Sequence, residues 1–274
     1  MKKYLDLLED VIENGKKKTD PQGVGSISVF CREMRFDLSN GFLPMVTTKK
    51  VNFKYVLGEL LWFLRGDDNW DFLHEHKIPI WDPWGKKEVA SLYGLEEGEL
   101  GRIYGPQWIH WLKRDGGEIN QIARLIEDLK KHPDYRRHKV IAWNPEDVDG
   151  VAVAPCHGDF KCYVADGVLS LNLWQRSGDL FLGIPYNITS YSLLLLMLAQ
   201  VTGLQPGEFV HYIVDAHIYL NHVEQVKQQL SREPRPLPRI RINPEVKDIF
   251  GFTFADFLLE GYNPDAFIGA EVGV

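Results

Sequence analysis

The sequence predicts an α+β fold, in a single domain over residues 1–274. Three observations carry that reading. Helix-like and strand-like stretches follow one another irregularly rather than as a repeated βαβ unit. No internal repeat, low-complexity tract or Gly/Ser linker divides the chain. Asp166-Gly167, flanked by alternating residues, marks an antiparallel hairpin. With 45% apolar and 12% aromatic residues, 274 residues are enough for a large core.

Residues 2–14 place Tyr4, Leu7, Leu8, Val11 and Ile12 on one helical face, and Asn14-Gly15 ends the pattern. A strand is expected at 26–37, then an apolar helix at 53–65 closed by Gly66, a helix at 118–131 and a strand at 138–143. Strands at 159–164 and 168–176 flank the Asp-Gly turn. Two registers remain open there. If Asp166 and Gly167 alone form the loop, Ala165 pairs with Val168 and Cys156 faces Ser177; if Ala165 joins the loop, Val164 pairs with Val168 and Cys156 faces Arg176. The run Leu193–Ala199 extends only to Val201, too short to span a bilayer, so it predicts a buried helix at 190–202 with Thr189 and Ser190 as caps. A strand at 208–214, a helix at 217–230 and a strand at 239–242 complete the pattern.

Lys plus Arg total 31 against 38 Asp plus Glu, and the net charge of -7 argues against a surface that coats nucleic acid. The three cysteines, Cys31, Cys156 and Cys162, form no CxxC pair and no zinc spacing, which fits a reducing compartment without a structural metal. The N-terminal helix is interrupted by acids, unlike a signal segment, so a cytoplasmic protein with no membrane partner is expected.

A lone cysteine is commonly a small buried residue, so the case for Cys156 rests on its neighbours. Either hairpin register brings Arg176 and Ser177 beside it, and a guanidinium favours the thiolate. Glu59 interrupts an apolar helix, where a buried carboxylate takes up a proton or a hydrogen bond. Adjacent Arg136 and Arg137 suit an anion. Asn187 offers a donor and an acceptor together, matching the O4 and N3–H edge of uracil. Trp81 and Trp84 suit a flat ring. His217 and Tyr219 share a face if their segment is extended and diverge if it is helical.

MVTTKK, ELLWFLRGD, IWDPW, GRIYGPQW, DYRRHKVIAWNP, APCH, WQRSGDLFLGIPYNITSYSLL, DAHIYLNH, LSREPRPLP and LEGYNPD occur in order along almost the whole chain. Together they resemble the thymidylate synthase family. The resemblance implies a mixed, largely antiparallel sheet flanked by helices, with one sheet face used for dimerisation. It implies that Cys156 adds to C6 of the uracil ring of dUMP, so that C5 can attack the one-carbon unit of 5,10-methylenetetrahydrofolate. Asn187 would grip the pyrimidine edge, and Glu59 and Tyr104 would organise proton transfers. Arg176 and Ser177 would bind phosphate, joined by Arg136 and Arg137 from the partner of a homodimer, and His217 with Tyr219 would hold the sugar. Asp179 would hold the pterin, with Lys49, Ile80, Trp81, Trp84, Leu182, Gly183, Tyr186, Val272 and Gly273 around the folate. The C-terminal EVGV would fold over it. Tetrahydrofolate also supplies the hydride, so no metal, NAD or flavin is implied.

The match departs from the family in several places. Pro21 follows Asp20 where an arginine is usual, removing a phosphate ligand and stiffening the loop. Tyr186 replaces a usual phenylalanine, Gly158 and Asp159 follow the Cys-His pair, and Gly273 adds freedom to the tail. Because water exclusion decides between a methyl and a hydroxymethyl product, hydroxymethylation of a uridine nucleotide, or less readily a cytidine nucleotide, remains an alternative. A binding protein that has lost catalysis is a third reading, opposed by the full set of Cys156, Glu59, Tyr104, Asn187 and Asp179.

Overall fold

The computed structural model describes residues 1–19 and 23–272. Its helices are α1 (Lys2–Asn14), α2 (Phe53–Arg65), α3 (Asp71–Glu75), α4 (Asp82–Gly85), α5 (Lys87–Ala90), α6 (Tyr104–Ile109), α7 (Gln121–Lys131), α8 (Gly183–Thr202) and α9 (Val223–Leu230). Its strands are β1 (Lys16–Lys18), β2 (Ser26–Asp37), β3 (Trp111–Leu112), β4 (Glu118–Ile119), β5 (Lys139–Val140), β6 (Asp159–Ala165), β7 (Val168–Asp179), β8 (Gln205–Tyr219), β9 (Arg239–Ile242) and β10 (Phe257–Glu260). Six strands form the main sheet in the order β1-β2-β8-β7-β6-β5. All neighbours in it are antiparallel except β7 and β8, which run parallel. The fold is therefore α+β with a mixed sheet flanked by helices, as expected.

A parallel pair needs a long crossover, and α8 supplies it. This helix is apolar around most of its circumference and packs on β7 and β8. By length and composition alone it passes as a membrane span, yet 83% of its most apolar window is buried inside the protein. It is the buried helix that the run at Leu193–Ala199 predicts. The opposite face of the sheet carries outward-pointing Phe30, Tyr163 and Trp174, exposed at 77%, 67% and 48%.

Three predicted boundaries are corrected. The helix expected at 118–131 starts at Gln121, because the Asn120 side chain accepts from the Ala123 N–H and caps it there, while Glu118–Ile119 pairs as a strand. The helix expected at 190–202 begins at Gly183, since Pro185 in a first turn has no intrahelical N–H to lose. Thr189 and Ser190 are consequently interior, and the Thr189 hydroxyl donates to Pro44 O and Pro185 O instead of capping. The helix expected at 217–230 begins only at Val223, because β8 stays paired on both sides as far as Asp179↔His217 and Ser26↔Tyr219.

The inward-facing set on β2 changes parity at Cys31: Val29 is buried before it, Met34 and Phe36 after it. On β8 the same change separates Phe209, His211 and Ile213 from Ala216 and Ile218. Cys31 carries this irregularity with φ +54, the left-handed region that costs a non-glycine residue about 1–2 kcal/mol. Cys31→Gly is expected to stabilise the protein by about 0.5–1 kcal/mol, after about 0.5–1 kcal/mol for glycine's greater unfolded-state freedom. Urea unfolding measures this, and a destabilised variant would show that the thiol's packing outweighs the backbone strain.

Candidate active site

The hairpin adopts the two-residue loop, with Ala165 paired to Val168 and Asp166 and Gly167 at φ +50 and +74. Continued, that register would set Cys156 against Ser177. It stops at Asp159↔Trp174. Gly158 turns the chain at φ +102, and the Arg176 N–H then donates to Cys156 O at 2.9 Å. Arg176 is thus the thiol's neighbour, and its guanidinium is fixed by Nε donating to Pro155 O at 2.9 Å and Nη2 to Ala154 O at 2.7 Å. Nη2 also lies 3.4 Å from Cys156 Sγ. A Cβ on Gly158 would sit 2.5 Å from the Ala142 Cβ, so Gly158→Ala combines a left-handed penalty with a clash. It is expected to cost about 2–4 kcal/mol of stability by denaturant unfolding and to misplace the thiol.

The expectation that Arg176 lowers the thiol pKa is half met. Arg176 does act in that direction, but burial outweighs it, and the Cys156 thiol lies above its ordinary range. Cys156 is therefore protonated at neutral pH.

Behind the thiol runs a chain of hydrogen bonds and one ring stack. The Cys156 N–H donates to the Tyr104 hydroxyl at 3.0 Å, and the Tyr104 ring stacks on His157 with centroids 4.3 Å apart. Burial lowers the His157 pKa to about 3, so the ring is neutral. Its Nδ1 lies 2.8 Å from the Tyr191 hydroxyl and its Nε2 3.2 Å from Asn187 Nδ2. On the other side, Gln175 Nε2 donates to Ser177 O at 2.9 Å and to Asn187 Oδ1 at 3.2 Å, while its Oε1 lies 2.8 Å from His211 Nε2. A backbone carbonyl can only accept, so Ser177 O fixes which end of the Gln175 amide faces it. The polarity of the chain follows, and Asn187 turns Oδ1 toward Gln175 and Nδ2 toward His157. One lone pair and one N–H of Asn187 remain for a ligand.

Glu59 projects from α2 and accepts from Trp81 Nε1 at 2.9 Å. Burial raises its pKa to about 7. Trp81 is buried and Trp84 half-buried; their planes incline at 56°, so they form a corner rather than the expected flat wall.

Asp179, at the end of β7, accepts from the N–H groups of Phe181 at 2.9 Å and Leu182 at 3.2 Å through Oδ1 alone. Beside it Leu182, Gly183 and Tyr186 are half-buried, as is Ile80. Above Gly183 the space is open, since a Cβ there would meet only Asn187 Oδ1, at 3.9 Å. Burial raises the pKa of the Tyr186 hydroxyl above its ordinary value. Lys49 does not face this opening. It is buried, with its ammonium donating to Phe181 O and lying 3.5 Å from the centre of the Phe181 ring. Burial lowers its pKa to about 7, against the opposing pull of Asp179. Lys49 thus braces the Asp179 turn from within.

His217 and Tyr219 lie on one face of β8, edge to face with centroids 5.1 Å apart, as an extended segment requires. The register places His217 beside Asp179 and Asp215 beside Ser177. Arg136 and Arg137 are exposed between α7 and β5, with Arg137 over the Tyr135 ring. Val272 is exposed, while Asp20, Pro21 and Gly273 lie outside the described residues. Among the described residues no cluster suited to a metal occurs, and all three cysteines are free.

Sequence reasoning assigned no role to His157, Gln175 or His211. The signal existed for two of them: Gln175 continues the inward set Leu169, Leu171 and Leu173, and His211 sits between inward Phe209 and Ile213. A polar residue inside an apolar alternation calls for a buried partner. The family model described as thymidylate synthase matches residues 2–274. The ordered motifs, the mixed sheet and this match over essentially the whole chain lead to one conclusion: the chain belongs to the thymidylate synthase family.

Proposed function

We propose that this chain transfers the one-carbon unit of 5,10-methylenetetrahydrofolate to C5 of dUMP and reduces it, giving dTMP and dihydrofolate. Family membership implies one-carbon transfer to dUMP, and the family normally uses this folate. The observation that carries the reading is the chain of contacts from Cys156 through Tyr104 and His157 to an Asn187 amide of fixed polarity. Cys156 gives its proton through water to the Glu59 carboxylate as Sγ adds at C6 of the pyrimidine; the electron pair moves toward C5 and O4. Asn187 Nδ2–H meets the charge at O4 while Oδ1 accepts from N3–H. Glu59 and Tyr104 hold and return protons at the pyrimidine through water.

Arg176 spends Nε and Nη2 on carbonyls and the thiol, leaving Nη1 and the Ser177 side chain for phosphate. His217 and Tyr219 hold the sugar. The folate supplies carbon and hydride when bound; the residues fit it, with an Asp179 oxygen beyond the one that caps its own turn and open space at Gly183. Trp81, Trp84, Ile80, Leu182, Tyr186 and Val272 would enclose it. A homodimer through the sheet face bearing Phe30, Tyr163 and Trp174 would bring Arg136 and Arg137 to the partner's phosphate, which accounts for their exposure. We place this activity in one domain and in the cytoplasm.

The second reading, hydroxymethylation without folate oxidation, draws on Tyr186, whose hydroxyl puts a polar atom in the folate-side wall. One assay separates the two. Protein is mixed with dUMP and methylenetetrahydrofolate, dihydrofolate is followed by absorbance and the nucleotide is weighed. A product heavier by one CH2 with dihydrofolate formed supports the methylating enzyme; a hydroxymethyl product without dihydrofolate supports the second reading. Absence of product from dUMP, UMP, dCMP and CMP alike would sink both.

A further inference from the structure

His222 lies outside the residues considered so far, and it is fully buried. It closes the short helical turn Leu220–His222 that follows β8. Its ring lies between two walls of the site: the Phe181 ring is 5.5 Å away on the folate-side turn, and the Tyr219 ring 5.6 Å away, edge to face, on the nucleotide-side strand. Its Nε2 is 2.7 Å from the backbone carbonyl of Glu271, which can only accept, so Nε2 carries the hydrogen and donates. Nδ1 is buried and meets no partner among the described residues. The bond to Glu271 is thus the ring's one polar anchor, and breaking it leaves a buried donor unpaired.

The path of the chain toward Glu271 is held at several points. Asp265 donates its N–H to Thr47 O, Arg232 donates to Ala266 O, and Ile268 is buried. The Glu271 side chain itself points to solvent. His222 supplies the last of these attachments before Val272, and it does so through a backbone atom, independent of which side chain stands at 271.

We propose that His222 is a positioning residue for the C-terminal segment, holding the Glu271 carbonyl from a seat between Phe181 and Tyr219 and so linking that segment to both walls of the site. This rests on the folate-dependent reading above. Phe181 belongs to the Asp179 turn and Tyr219 packs edge to face on His217, so the His222 ring joins the tail to one residue of each wall. Loss of the donor should free the chain at Glu271 and Val272 and weaken folate binding, without disturbing Arg176, Ser177 or Asn187.

His222→Phe keeps a ring and removes the donor; His222→Gln keeps a donor with comparable reach. In His222→Phe, carboxypeptidase should trim the chain past Val272 at least tenfold faster than in the wild type, and the KM for methylenetetrahydrofolate should rise at least fivefold. The Kd for dUMP in the binary complex should stay within twofold, and His222→Gln should recover most of both effects. If the Phe variant does not fold, His222→Asn, whose amide falls short of Glu271, takes its place. Trimming within twofold of the wild type would overturn the contact, and faster trimming with an unchanged folate KM would overturn its role in closure. A purely structural role would lower stability in the Phe and Gln variants alike and leave the folate-to-nucleotide split unmoved. Trimming needs no turnover, so it decides the contact even if the wild type proves inactive toward dUMP.

Discussion

Cys156→Ala is expected to lower turnover of dUMP by about 10⁴-fold or more while changing the Kd for dUMP by only a few fold. The size of the loss follows from covalent catalysis, because without Sγ no adduct forms at C6 and C5 never becomes a nucleophile. The retained binding follows from geometry. Arg176 is held by Ala154 O and Pro155 O, which the substitution leaves in place, and Asn187 is oriented by Gln175 and His157. Steady-state kinetics and calorimetry on one preparation test both halves. Turnover above about one hundredth of the wild-type rate would remove Cys156 from the mechanism, whereas survival of binding alone is also what a non-catalytic nucleotide binder would show in both proteins.

Glu59→Gln is expected to lower kcat by about 10²–10⁴-fold, the usual contribution of a positioned acid or base. It should also change how stability depends on pH. Glu59 has its pKa raised by burial from the ordinary 4.5 to about 7, so between these values the folded state binds more protons than the unfolded state. The carboxyl's favourable contribution is complete below about pH 4.5, declines as pH rises through the window and is lost above about pH 7. At 1.36 kcal/mol per pH unit, the loss is about 3 kcal/mol. The glutamine variant does not titrate, so relative to wild type it should gain stability from pH 5 to pH 8. Urea unfolding at the two pH values measures this, and parallel profiles would place the Glu59 pKa near that of an ordinary carboxyl.

Local patterns marked the elements whose ends are set locally. α1 and α2 begin and end where the apolar periodicity and their closing residues put them, and the Asp166–Gly167 turn follows from two residues suited to left-handed backbone. Where a distant partner sets the boundary, the local signal failed. His217–Tyr219 reads as the start of a helix in isolation, yet pairing with β2 and β7 keeps it extended. Asn187 reads as a loop amide, yet it lies within α8 because the helix starts earlier, at a turn set by Asp179. The motifs singled out Cys156, Arg176 and Glu59, but the balance of forces on the thiol was not legible: how far burial outweighs Arg176 depends on tertiary packing, with Tyr104 brought against Cys156 from a remote part of the chain. Lys49 shows the same limit, since a lysine in a motif gives no sign that its ammonium will sit over the Phe181 ring.

The pairing of β2 with β8 sets a timetable for the appearance of function. Ser28 lies against His217, so the strand that carries His217 and Tyr219 closes on one made near the start of the chain. Synthesis proceeds at about 5–20 residues per second, and a nascent chain therefore spends many seconds with β2 present and its partner absent. During that interval β2 offers unpaired edges, including the segment around exposed Phe30, and the thiol at 156 emerges before Arg176, whose guanidinium lies against it. Refolding should accordingly be governed by closure of this long-range pair, slow in the manner of high-contact-order proteins, with competence to bind nucleotide arriving last and all at once.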